Sequence, residues 1–202
     1  MKRIVLLFLL ALALPMVAFA SNSVDFTNSG GTLSGSNSGL TLSGSTLIAM
    51  GGGGGIKTGD LGTLEFSTGA LTSGTLTADM GPATFAAGGT FTITGNGANG
   101  IHNGVIFSGT FSGPVTWTMV TLANGTHNYT LQGAISGTWY SGQTVHGATV
   151  QLTINTGKGF FDESTRIASG DTNIVVPEPG SLTLLGTGLV GLAGVIHRKL
   201  KA

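Results

Sequence analysis

Residues 114–155 alternate apolar and polar side chains with a period of two, and this pattern constrains the chain more than any other feature. In its last run, Ala148, Val150, Leu152 and Ile154 alternate with Thr149, Gln151, Thr153 and Asn155. Successive side chains of an extended strand point to opposite faces, so this pattern predicts a strand with one face buried. Val115, Trp117 and Met119 share a face opposite Thr116 and Thr118, while Tyr129 and Leu131 lie between Asn128 and Thr130. Ile135 and Trp139 continue the series, and Asn124-Gly125 and Ser141-Gly142 supply the turns. Upstream, Phe91 and Ile93 oppose Thr90, Thr92 and Thr94, ahead of a turn at Gly95–Gly100. Residues 62–78 read as two strands around Gly69, and residues 21–49 as short strands joined by Ser/Gly turns. The five glycines Gly51–Gly55 are expected to form a mobile loop.

Strands recur about every ten residues and no amphipathic helix interrupts them, so the predicted fold is all-β. It is a single antiparallel β-sandwich or flattened barrel built as a meander. A parallel β-helix is the runner-up, but the chain shows no fixed repeat period.

Charged residues make up 8% of the chain and cysteine is absent. No disulfide can staple the fold, which must hold by its core and its backbone ladders. Five of the eight cations lie near the two ends of the chain. Residues 21–175 keep only Lys57, Lys158 and Arg166 against Asp25, Asp60, Glu65, Asp79, Asp162, Glu163 and Asp171, a net charge of −4. Binding to nucleic acid depends on clustered cations that neutralise phosphates, and this composition excludes it.

Several patterns that resemble chemical motifs fail on context. Gly95–Gly100 and Gly186–Gly191 both match G-x-G-x-x-G. The first lacks a following helix and a later acidic residue, and the second lies in an apolar run, so neither predicts a dinucleotide site. His102, His127 and His146 have no zinc-ligand spacing and read as surface or packed histidines. Neither a G-x-S-x-G elbow nor a cysteine nucleophile occurs. The adjacent Asp162 and Glu163 would point apart, unlike glycosidase acids. The expectation is no enzyme, no metal and no cofactor. Trp117, Tyr129 and Trp139 are expected in the core, whereas Tyr140 points the other way and is the candidate glycan contact.

Residues 1–20 begin with Lys2 and Arg3, continue with an apolar stretch from Ile4 to Leu14, and end at Ala18-Phe19-Ala20. This is the pattern of a secretory signal helix cut by signal peptidase after Ala20, with Ala18 and Ala20 in the enzyme's small pockets. Residues 21–161 then form the β-rich exported domain, and residues 162–175, polar and unpatterned, a stalk. Residues 176–202 join Pro177-Glu178-Pro179 to an apolar run over 181–196 and to Arg198, Lys199 and Lys201. At about 1.5 Å per residue the run reaches about 24 Å, close to a hydrocarbon core of about 30 Å, so a transmembrane helix is predicted there. The terminal cations hold that end in the cytoplasm. An ordinary membrane anchor would share these features. Pro177 and Pro179 keep the motif extended, and Gly186, Gly188, Gly191 and Gly194 weaken the helix, as suits a segment that is processed.

The order Pro-Glu-Pro, weak membrane helix, basic terminus resembles the PEP-CTERM sorting signal of Gram-negative bacteria that make exopolysaccharide. The resemblance covers about the last 27 residues and implies recognition of Pro177, Glu178 and Pro179 by exosortase, an integral-membrane enzyme. It implies transient anchoring in the inner membrane, followed by delivery to the cell surface or extracellular matrix. The function expected is structural or adhesive within an exopolysaccharide layer. A glycan- or ice-binding module using the threonine rows or Tyr140 is the alternative, and an extracellular hydrolase a third that would need a concave site with convergent acids or a Ser/His pair.

Overall fold

The structure, a computed structural model, describes residues 22–52, 55–76 and 82–176. Its strands are β1 (Asn22–Ser29), β2 (Thr32–Ser36), β3 (Gly39–Gly52), β4 (Gly55–Ser67), β5 (Leu71–Ser73) and β6 (Ala83–Phe85), followed by β7 (Gly88–Asn96), β8 (Asn103–Thr121), β9 (His127–Trp139), β10 (Thr144–Asn155), β11 (Ser164–Arg166) and β12 (Ser169–Val176). Eight of them close a ring in the order β1, β3, β4, β7, β8, β9, β10, β12 and back to β1.

The other four continue ring strands along the same ladders. β3 pairs with β1 through Ser29↔Thr46 and with β2 through Thr32↔Ser43, so β1 and β2 are one run bent at Gly30–Gly31. Both glycines have positive φ, and a Cβ on Gly31 would sit 2.8 Å from Ser43 O. In the same way β6 and β7 follow one edge of β8, through Phe85↔Val115 and Gly88↔Phe111. β5 takes up beside β6 where β4 leaves β7. The chain is therefore an up-and-down meander of eight runs, each hydrogen-bonded to the next, with the last returning to the first. Of the two expected forms the structure is a barrel rather than a sandwich, because the first and last strands meet.

Closure depends on residues 164–176. Arg166↔Thr32, the Ile167 N–H to Gly31 O bond of 3.2 Å and the Thr27 Oγ1 to Asp171 Oδ1 bond of 3.2 Å follow a single antiparallel register, which also brings Asn173 Nδ2 to Asp25 Oδ1. On its other edge β12 pairs with β10 from Asn155↔Ser169 to Thr149↔Val175. The expected stalk at 162–175 is thus corrected. It holds the closing strand, and its inward positions Gly170, Thr172 and Ile174 are buried. The expected loop at Gly51–Gly55 is also shorter than read, because Gly51↔Ile56 and Gly52↔Gly55 extend the β3–β4 ladder into it.

The alternation expected for 114–155 is present. Val115, Trp117, Tyr129, Leu131, Ile135, Ala148, Val150, Leu152 and Ile154 are buried, and Met119 and Trp139 are partly buried against them. Trp117 stacks on Tyr129 at 5.0 Å, and both meet Phe161 edge-on at 6.0 and 6.2 Å. Phe161, from the β10–β11 connection, plugs the lower end of the barrel. Its backbone N–H donates to Tyr129 Oη at 2.8 Å. Outward positions such as Thr116, Thr118, Gln132 and Gln151 are exposed and polar. A barrel that spans lipid has the opposite polarity. The expected signal helix at 1–20 and transmembrane helix at 181–196 lie outside the described residues.

Gly62 illustrates how tightly the ladders approach. It has φ +139° beside Gly95, and a Cβ there would overlap Thr94 O.

Two predictions follow from closure and plug. A chain ending at residue 161 leaves the edges of β1 and β10 unpaired and should lose cooperative urea unfolding, whereas one ending at Val176 should keep it. Burial pushes the Tyr129 phenol above its ordinary pKa of 10.0, partly offset by the Phe161 N–H bond. The unfolded chain then ionises first, so this group's contribution to stability is constant below about pH 10 and falls as pH rises beyond it. Tyr129→Phe should flatten that alkaline decline in a pH series of urea midpoints. It should also cost about 1–3 kcal/mol at neutral pH by leaving the buried Phe161 N–H unpaired.

Candidate functional site

Both ends of the barrel wall, the start of β1 and the finish of β12, lie at the upper mouth. There the chain turns between β3 and β4, β7 and β8, and β9 and β10. The β9–β10 turn is held by the Trp139 N–H to Gln143 O bond of 2.9 Å and by Gly142 N–H to Trp139 O at 2.8 Å. The Tyr140 N–H continues the β8–β9 ladder to Ile106 O at 2.8 Å. Trp139 consequently turns inward, against Phe107 at 4.8 Å and Phe26 at 6.3 Å, and Tyr140 turns out with 61% of its surface exposed. This is the orientation expected from the alternation.

The β7–β8 turn supplies a second wall. Asn99 has a positive φ of 53°, and its side-chain amide donates to Thr58 O at 2.7 Å. Lys57 Nζ donates to Asn99 O at 2.7 Å, so the turn is tied to β4 twice. His102 then stacks on the Tyr140 ring at 4.5 Å between centroids and 16° between planes. Beneath the pair is a concavity of about 250 Å³, floored by Val24, Met50, Ile101 and Ile106, with Lys57 on its rim. Among the described residues, no carboxylate lines it.

Sequence reasoning singled out Tyr140 but not its neighbours. Lys57 comes from the start of β4, His102 from the β7–β8 turn and Tyr140 from the β9–β10 turn, and no spacing in the chain joins them. The other two described histidines stand apart. His127 is buried under Phe160 at 3.9 Å and bonds Thr121 Oγ1 through Nδ1 at 3.0 Å, and His146 is exposed on β10. Among the described residues, no three of His, Cys, Asp and Glu come together. The expected recognition residues Pro177, Glu178 and Pro179, the cations Arg198, Lys199 and Lys201, and Ala18 and Ala20 lie outside the described residues.

A family model described as the PEP-CTERM protein-sorting motif matches residues 175–199. The chain carries a PEP-CTERM sorting motif. This marks an exported protein directed to an exosortase-type enzyme at the membrane. The motif's first two positions, Val175 and Val176, belong to β12, and Val175 is still paired with Thr149. The PEP-CTERM motif therefore begins inside the barrel wall, and Pro177 follows without a spacer. No curated protein and no solved structure matches the chain.

The opposite placement of two neighbouring aromatic residues gives a direct check. Trp139→Ala should cost about 2 kcal/mol or more in urea unfolding, because it empties a site between Phe26 and Phe107. Tyr140→Ala should stay within about 0.5 kcal/mol of the parent, as an exposed side chain does.

Proposed function

We propose that this is a non-catalytic surface or matrix protein whose barrel serves as a structural or adhesive unit within an exopolysaccharide layer. The observation that carries the reading is the PEP-CTERM motif at residues 175–199, joined directly to a closed barrel. Each of the eight ring strands is paired on both sides, with only the short β5 and β11 paired on one, so the ring offers little edge for strand addition and such a unit can be crowded on a surface. Its outer face suits contact with a hydroxyl-rich polymer. The cross-strand row Thr118↔Thr130↔Thr153↔Asp171 lies beside the row Thr116↔Gln132↔Gln151↔Asn173. Hydroxyl and amide groups at strand spacing offer many hydrogen bonds with little charge. These rows also support a second reading, a module that holds neutral glycan or ordered water on the threonine face. A hydrolase reading finds little support. Asp162 and Glu163 sit in the lower connection, where the Glu163 carbonyl accepts the Gly35 N–H at 2.7 Å, and the interior of the barrel is packed with hydrocarbon.

Processing tests the reading. Replacing Pro177 and Pro179 with alanine should leave the full tail on the protein in the inner-membrane fraction, read by cell fractionation and intact mass. Because the motif begins in β12, about eight Gly/Ser residues inserted between Val176 and Pro177 should raise the processed fraction by giving the enzyme slack chain. Processed protein should co-sediment with the producing cell's extracted polysaccharide. Recovery of the processed protein free of polysaccharide, from cells that keep their layer intact without it, would count against the matrix role.

A further inference from the structure

We propose that the concavity at the upper mouth is a binding site for a carboxylated sugar ring, a uronic-acid residue of a polysaccharide. The assignment stands on the pocket itself and goes beyond the matrix role.

Tyr140 is a large amphipathic ring held out in solvent, with one face covered by His102 and the rest largely open. The backbone bonds at Trp139, Tyr140 and Gly142 fix the position of its turn, so little ordering remains to be done on binding. The facing wall is fixed by the two bonds through Asn99. A rigid aromatic plane beside an apolar floor suits a ligand with a hydrocarbon face and polar edges, and a pyranose ring has both. About 250 Å³ falls below the range of about 300–1,000 Å³ usual for drug-sized ligands, so the site takes one ring of a chain rather than an oligosaccharide end to end.

Charge selects among such rings. Residues 21–175 carry only three Lys or Arg residues, and Lys57 stands at this rim. Its ammonium has three donors, of which the Asn99 carbonyl takes one. The imidazole of His102 adds a ring N–H to the lining, which among the described residues includes no carboxylate. Residues 21–175 carry a net charge of −4, so binding of an acidic polymer depends on local attraction such as Lys57 offers at this mouth. A carboxylate on a pyranose ring stacked against Tyr140 would meet Lys57 at the rim, which makes the acidic sugar the better fit than its neutral counterpart.

The experiment is calorimetric titration of the exported protein with trigalacturonate and, separately, with its neutral methyl ester. Trigalacturonate should bind about tenfold more tightly than the ester, and the advantage should shrink as salt is added. Lys57→Gln should bring the two ligands to the same affinity without abolishing binding. Tyr140→Ala should weaken both about tenfold or more, and Tyr140→Phe should restore most of the loss. Circular dichroism of each variant verifies that the barrel is intact. Equal affinity for acid and ester in the parent protein would overturn the charge selection. Undetectable binding of both at millimolar concentration, or binding indifferent to Lys57→Gln and Tyr140→Ala, would overturn the site. Benzoate competing as strongly as trigalacturonate would overturn the choice of a sugar over a planar aromatic acid.

Discussion

The pairing of the last strand with the first holds this protein together. Every other ladder joins neighbours in sequence, and each could form as a local hairpin. The register that links residues 164–176 to residues 25–34 spans almost the whole described chain and turns a curled sheet into a ring. With no cysteine to form a disulfide, that ladder is what makes the eight runs cooperative. It also satisfies the backbone donors and acceptors of two strands that would otherwise be edges.

Closure in turn dictates how the interior is filled. A ring of eight strands has room for side chains and little else. Large aromatics occupy both levels, Trp117, Tyr129 and Phe161 below and Phe26, Phe107 and Trp139 above. Where β1 and β12 meet, the fill is smaller and more polar. Asn28 faces Gly170, whose missing side chain leaves room for the amide, and its Nδ2 donates to Ser45 Oγ at 2.6 Å. Thr172 is buried nearby with a hydroxyl that has no protein partner, as does Asn28 Oδ1. The seam is thus the least hydrophobic part of the core, and the ladder rather than packing carries it.

The two ends of the barrel differ for the same reason. The lower end is plugged by the chain itself, through Phe161 and its bond to Tyr129. The upper end is framed by short turns and by the strands through which the chain enters and leaves. It stays concave, and Lys57, His102 and Tyr140 line it. The sorting motif starts at this end as well, within the last residues of β12, so the sorting motif and the strand that closes the fold share Val175 and Val176.

The sequence alone settled most of the strands, their antiparallel succession, the inward and outward faces over residues 90–94 and 114–155, and the sorting tail. Each of these is local, readable from a period of two, a turn dipeptide or a short terminal motif. It left sandwich and barrel open, because closure is a contact between distant segments and no local pattern encodes it. It misread residues 162–175 as a stalk because the inward positions of the closing strand include Gly170 and Thr172, small or polar side chains that hide the alternation. It marked Tyr140 as exposed but could not assemble the mouth. Lys57, His102 and Tyr140 gather on one rim only through the side-by-side pairing of β4, β7, β8 and β9, a register between strands that no local pattern states.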